Sequence, residues 1–319
     1  MSAVRRAVLA LVLSAGPAGA QALAPNELGR VMILEYHRLA EPENRWTRTP
    51  ANFRHDLETL YAKGYRLIGL NDLIDGQIAL PLGTTPVVLT FDDSSPGQFR
   101  YIDKDGQLVI DPDCAVGILD AFAEAHPDFG RKATFYVLPG ASKPNRLFNQ
   151  PEYEAQKLQY LVSHGFEIGN HTLWHANLGK YPEPIVRDQI ARAEVWIHRY
   201  VPQYRIRTLA LPHGVYPKQV AWALHGTAGG TTYEYDAILE VGGGPAPSPF
   251  AQSFDPTHLP RIQAIESELR HWLTHFDQNP GERFISDGDA ATVTIPAGAR
   301  GRLRPALPPG VKAVERDGT

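Results

Sequence analysis

One cysteine in 319 residues excludes any internal disulfide, so the fold must be held by its hydrophobic core. That residue, Cys114, sits in Asp111-Pro112-Asp113-Cys114-Ala115 with no histidine close in sequence, and reads as a small buried hydrophobe rather than a nucleophile. An excess of one charge is also missing. The 31 Lys and Arg against 35 Asp and Glu leave a net charge of −4, which provides no basic field for nucleic acid or anionic lipid. Past the first twenty residues no segment is apolar enough to cross a bilayer, so stable membrane insertion is not expected. No repeat of fixed period is present. What remains is an ordinary globular composition, 43% hydrophobic and 21% charged, long enough for one large domain or two small ones. Twelve histidines exceed the needs of packing and hint at metal or acid–base chemistry.

The first twenty residues read as an address. Arg5 and Arg6 precede an apolar run from Ala7 to Leu13, and small residues lead to Ala18-Gly19-Ala20, the pattern of a cleavable secretory signal. An uncleaved tether is disfavoured because the run is short and no stop-transfer pattern follows. A secreted or periplasmic protein is expected.

Strands and helices then alternate. Strands are predicted at Arg30–His37, Pro86–Phe91, Ala133–Leu138, Phe166–Gly169 and Thr208–Leu211, and helices at Phe53–Lys63, Ile118–Ala125, Tyr153–Ser163 and Pro184–Tyr200. Helical crossovers between strands imply a parallel sheet, closed as a barrel or open and doubly wound, with reactive groups on the loops after the strands' carboxyl ends. His37, Asp92-Asp93, His171 and Pro212-His213-Gly214 each fall there. Residues 94–113 form a polar insertion, expected as a hairpin or flap beside the site. Residues 280–319 turn rich in Gly, Pro and Arg around one strand-like run, Ala291–Ile295, and are expected as a small β or irregular extension. The division is therefore 1–20 signal, 21–279 catalytic domain and 280–319 extension.

Two constellations carry chemistry. Asp92 and Asp93 leave a strand and so point apart, which allows one to bind a cation while the other accepts a proton; a turn or helix cap is the plain alternative. His171 and His175 are spaced i, i+4, which on a helical turn puts both imidazoles on one face. One carboxylate and two imidazoles, with positions open to water, make a site for zinc or another divalent ion. Trp174 lies between the histidines and is a candidate for sugar stacking, while Trp196 reads as core and Arg187, Arg192 and Glu194 as a solvated helix face.

Thr90-Phe91-Asp92-Asp93 and Phe166-Glu167-Ile168-Gly169-Asn170-His171-Thr172-Leu173-Trp174-His175 resemble the first two motifs of the polysaccharide deacetylases with the NodB homology domain (carbohydrate esterase family 4). The resemblance extends over about residues 30–275. It implies a distorted (β/α) barrel and removal of acetyl groups from an N-acetylhexosamine polysaccharide, with O-acetyl esters as a variant. It also implies a metal held by Asp93, His171 and His175 (Zn²⁺, with Co²⁺ or Ni²⁺ as alternatives), and Asp92 as general base. Pro212-His213-Gly214 resembles the third motif, whose backbone N–H helps hold the oxyanion. His37, Trp174, Pro212 and Gly214 are assigned to substrate binding, and His213 to the catalytic set.

The pattern departs from the family at two points. Leu209 or Ala210 stands where an arginine that orients the base is expected, and no histidine clearly supplies the general acid, His258 reading as a surface residue. Small apolar residues before Pro-aromatic-Gly, together with Leu259-Pro260-Arg261-Ile262, resemble the branch acting on β-1,6-linked N-acetylglucosamine polymers. A relative that binds glycan without turnover is the rival expectation. A metal-dependent amidohydrolase is a weaker one, since its further histidines and bridging lysine are not found.

Overall fold

In the computed structural model, residues 23–316 are described; the expected signal segment, 1–20, lies outside them. Eight parallel strands make the main sheet: β1 (Met32–Tyr36), β2 (Tyr65–Leu67), β3 (Thr85–Phe91), β4 (Thr134–Val137), β5 (Glu167–Asn170), β6 (Thr208–Ala210), β7 (Ala237–Gly243) and β8 (Leu259–Gln263). The order β1-β8-β7-β6-β5-β4-β3 closes on itself where β1 pairs with β3, giving a barrel of seven strands. Strand β2 stays outside the ring. It pairs with the start of β3, on the same edge whose end pairs with β4.

The longer helices are α1 (Pro50–Ala62), α2 (Ala115–Ala125), α3 (Glu154–Ser163), α4 (Glu183–His198) and α5 (Glu266–Gln278). The start of α1 is set locally, since Thr49 caps it by accepting from the Asn52 N–H and Pro50 occupies the first turn. Sequence reasoning did not find β7, β8 or α5. Three glycines in 242–244 and Pro260 interrupt the apolar pattern there. The hairpin expected in 94–113 is present as Tyr101–Lys104 paired with Gln107–Ile110.

Alternate strand residues enter two separate cores, as they must when both faces of a parallel sheet are covered. Leu34, Tyr36, Leu89, Phe91, Phe135 and Val137 pack with the helices. Ile33, Val88, Tyr136, Ala210 and Leu239 pack in the second core, which continues into Leu28, Val31, Phe284, Val293 and Ile295. The extension is therefore folded into the core of the barrel. Its strands β9 (Thr292–Ile295) and β10 (Lys312–Glu315) pair in parallel. It meets the N-terminal ends of β1 and β3, where the Ser286 N–H donates to the Thr84 carbonyl and the Thr85 hydroxyl donates to the Phe284 carbonyl at 2.7 Å. Cys114 is fully buried, as expected. Two helix-face expectations fail. Glu194 is buried and accepts from the Tyr235 hydroxyl at 2.6 Å, and Trp196 is only half-buried, with Arg199 over its ring at 4.2 Å.

Two predictions follow from this packing. A Cβ on Gly169 would stand 2.2 Å from the Tyr136 ring; Gly169→Ala is expected to cost about 2–3 kcal/mol in urea unfolding, the scale of an overpacked core. Glu27 is buried against the extension and accepts from the Thr294 N–H at 2.8 Å. Burial pushes its carboxyl from 4.5 up to about 8. Between those values the native state holds a proton that the unfolded chain releases, so stability is full below pH 4.5 and falls as pH rises through 8. The slope is expected to reach about 1.4 kcal/mol per pH unit in this window, and Glu27→Gln should abolish it.

Candidate metal and acid–base site at the barrel rim

Two aspartates leave β3 in opposite directions because the backbone turns sharply there, with φ of 78° at Asp93 and 44° at Ser94. Asp92 stays inside the barrel and is fully buried, while Asp93 reaches toward β5. Its Oδ1 lies 3.4 Å from His171 Nε2 and 3.5 Å from His175 Nε2. The two imidazoles do not reach this point along a helix. Residues 172–174 form a turn with positive φ at Thr172 (67°) and His175 (68°). Asn170 Oδ1 accepts from the Thr172 N–H and Thr172 Oγ1 from the Ala176 N–H, which hold that turn. The i, i+4 spacing thus brings the two imidazoles together through a non-helical turn and not along one face of a helix.

The donor set fits a divalent cation. One atom from each of Asp93, His171 and His175 lies within 4.8 Å of the others. Asp93 Oδ1 is buried and accepts no hydrogen bond. Ligands held about 2.0–2.1 Å from a tetrahedral zinc stand about 3.3–3.4 Å apart, close to the oxygen–nitrogen separations here. His171 Nδ1 contacts the Ala210 carbonyl at 2.8 Å, which puts its proton on Nδ1 and leaves Nε2 free to ligate. Burial, reinforced by His171, pushes His175 down to about 4, so its imidazole is neutral at physiological pH.

Behind this cluster lies an arginine that was not assigned from the sequence. Arg261, on β8, donates from Nη1 to Asp92 Oδ1 at 2.8 Å and from Nη2 to Oδ2 at 2.7 Å. Its remaining donors go to Thr90 Oγ1 and the Glu240 carbonyl, and its Nη2 lies 3.3 Å from Glu35. Burial alone would raise the Asp92 carboxyl; Arg261, followed by His171, outweighs it and holds Asp92 well below the usual carboxylate range. Glu35 is the less favoured partner. Both its oxygens are buried without hydrogen bonds, burial raises it to about 7, and His37 Nε2 lies 3.5 Å away. Glu35, His37 and Asp92 also cluster within 4.8 Å, but the Arg261 guanidinium already supplies the cation there.

The cleft above these residues has a volume of about 480 Å³. His37 and His213 line it, as do Arg45 and Trp46, which sequence reasoning did not single out. Trp46 packs edge-on against His37, ring centres 4.7 Å apart. His213 is exposed with φ of 60°, its ring 4.3 Å from that of His175. Pro212 is buried beneath it and Gly214 takes φ of 66°. Trp174 is exposed and does not line the cleft. His258 also lies outside the lining, bonded to Asp255 at 3.0 Å and stacked on Tyr216.

A closed ring of parallel strands with carboxylates and imidazoles gathered on its C-terminal rim is a (β/α) barrel with its polar cluster where such folds carry their reactive groups. More narrowly, part of the chain is similar to the polysaccharide deacetylases. The sequence model of the polysaccharide deacetylase family matches residues 80–228. A chitooligosaccharide deacetylase of Bradyrhizobium sp. (strain ANU 289) is 28% identical over 138 residues, 43% of this chain and 50% of that relative. The chain thus matches about half of that protein's length. Among solved structures, the deacetylase PplD of Streptococcus pyogenes, in complex with acetate, aligns with a TM-score of 0.57 at 18% identity, covering 79% of this chain and 98% of that one. IcaB from Ammonifex degensii aligns with a TM-score of 0.54 at 14% identity, covering 77% and 96%. These two likenesses establish the fold.

Removing one partner of a fully buried ion pair strands the other charge. Arg261→Met is therefore expected to lower stability by about 3–5 kcal/mol in denaturant unfolding, even though methionine fills much of the space.

Proposed function

We propose that the protein is a metal-dependent deacetylase that hydrolyses N-acetyl groups on an exported polysaccharide, with acetate as the released product. The observation that carries this reading is the convergence of Asp93, His171 and His175 beside a separate carboxylate, Asp92, held ionised by Arg261. Asp93, His171 and His175 would hold the cation, with zinc, cobalt or nickel suiting the donors. When bound, such an ion polarises an acyl carbonyl and lowers the pKa of water.

The chain's own residues do the rest. Asp92 takes a proton from the attacking water, and its fixed orientation on Arg261 keeps an acceptor lone pair toward the cleft. His37, next to both Asp92 and Glu35, is the imidazole we assign to protonating the amine as it leaves. The Pro212-His213-Gly214 turn borders the acyl site and is assigned to the oxyanion, and Trp46 offers an apolar face to the sugar ring. The rival reading, a glycan-binding relative without turnover, drew support from the missing arginine before Pro212. Arg261 reaches the same carboxylate from β8, so that support weakens. A β-1,6-linked N-acetylglucosamine polymer is the favoured substrate because Leu259-Pro260-Arg261-Ile262 resembles that branch. The signal pattern in residues 1–20 supports a reaction outside the cytoplasm.

The test is acetate release from β-1,4- and β-1,6-linked N-acetylglucosamine oligomers by chelator-stripped protein reloaded with zinc, cobalt or nickel. Activity should return with metal, and Asp92→Asn should reduce kcat by about 10²–10⁴-fold. His175→Ala should lose metal in equilibrium dialysis. Release that survives both chelator and Asp92→Asn would exclude the mechanism. Tight glycan binding without acetate release would establish the rival.

A further inference from the structure

The turn that aims Asp93 is itself held from behind. Ser94, the next residue, is fully buried with φ of 44°. Its hydroxyl donates to the Asn145 carbonyl at 2.7 Å and accepts from the Leu138 N–H at 3.0 Å. Its carbonyl accepts from the Phe148 N–H at 2.8 Å. All three partners belong to the segment that follows β4, and that segment carries a second anomaly. Leu147, Phe148 and Asn149 take φ of 40°, 65° and 54°, three consecutive left-handed residues without a glycine. Single asparagines visit this region readily, but a leucine and a phenylalanine in succession do so only where the surroundings impose it. Both are fully buried, and the Phe148 ring packs edge-on against Phe99 and Phe135, centres 6.0 Å and 6.1 Å apart.

Lys157, on α3, reaches this left-handed turn from the core. Its side chain is wholly buried, and Nζ donates to the Phe148 carbonyl at 3.2 Å. The nitrogen lies 5.8 Å from the centre of the Phe99 ring and 5.7 Å from that of Phe148. Among the described residues Lys157 makes no ion pair. Glu154, on the same helix, is taken by Arg146 at 3.2 Å and by the Tyr200 hydroxyl at 2.8 Å. Burial lowers the Lys157 ammonium to about 7. An amine in this position costs the core more than a methionine would, and no step of the proposed reaction uses it. Charged or neutral, it keeps an N–H for the Phe148 carbonyl, so the bond does not depend on protonation.

We propose that Lys157 is a positioning residue for the cation site: it pins the Phe148 peptide, whose N–H holds Ser94 and so fixes the direction in which Asp93 leaves β3. The proposal rests on Asp93 being a ligand, and its test needs no turnover. Co²⁺ affinity is read from visible absorption as chelator-stripped protein is titrated, alongside the urea midpoint of the metal-free form. Lys157→Met is expected to bind Co²⁺ about 10–100-fold more weakly than the parent. Its urea midpoint should equal or exceed the parent's, because methionine fills the space without a buried amine. Asn149→Gly is the second variant: glycine takes φ of 54° freely, and the Asn149 Oδ1 it removes accepts no hydrogen bond. Added to Lys157→Met, it should recover most of the lost affinity by making the turn independent of the lysine. Equal affinity in the parent and Lys157→Met, a loss that Asn149→Gly leaves in place, or a midpoint that falls together with affinity overturns the proposal. A parent that takes up no Co²⁺ overturns it along with the ligand role of Asp93, whereas a parent that binds Co²⁺ no more tightly than Lys157→Met leaves that role standing.

Discussion

A single guanidinium set inside a closed barrel, with one carboxylate gripped and a second left nearly bare, is the constraint on which the site depends. Arg261 is fully buried, bidentate on Asp92 and 3.3 Å from Glu35. In low dielectric an unpaired charge is costly, so one arginine can keep one carboxylate ionised with ease and two only with difficulty. Asp92 wins by geometry, having both oxygens in hydrogen-bonding range. Glu35 accepts no hydrogen bond and is displaced upward toward neutrality. The consequence is one carboxylate that is charged and oriented beside a second that is pushed toward neutrality, a difference set by environment.

That interaction exists only because the ring closes. Asp92 ends β3 and Arg261 lies on β8, and β1 stands between them, paired to both. The inner ends of these strands are apolar, and the N-terminal mouth is filled by Phe284, Val293 and Ile295 from the extension. The ionised cluster around Arg261 lies toward the C-terminal mouth, where it meets the cleft. Gly169 contributes from across the barrel by giving the Tyr136 ring its space, and Arg261 lies over that ring at 5.8 Å. Packing at one level of the barrel therefore sets the electrostatics of the next.

The rim joins two kinds of backbone. The turn of 172–175 is tightly bonded and brings two imidazoles to one carboxylate oxygen, while the 242–244 segment is stripped of side chains. Small strained or permissive segments of this sort accumulate where function needs a particular atom placed or a surface cleared. Here the positive φ values at Asp93, His175 and His213 fall at residues that line one cleft.

Much of this was legible in the chain. Local apolar period located five of the barrel strands and four helices, because each element's buried face is written in its own residues. Asp93, His171 and His175 could be read as candidate ligands, with Asp92 beside them, because the members of each pair are close in sequence. What could not be read depended on partners far apart. Arg261 lies 169 residues from Asp92, and nothing in Leu259-Pro260-Arg261-Ile262 says which carboxylate it will meet. Glu35 was visible as a strand residue, but its bare oxygens arise only when the barrel shuts around them. Trp46 enters the cleft, and Trp174 leaves it, through loop paths that no periodicity encodes. Sequence determined the elements and the candidate ligands, since those follow from short-range pattern. Tertiary closure decided which charges share a cavity, since Coulomb and desolvation energies depend on distance and burial in space and not on order along the chain.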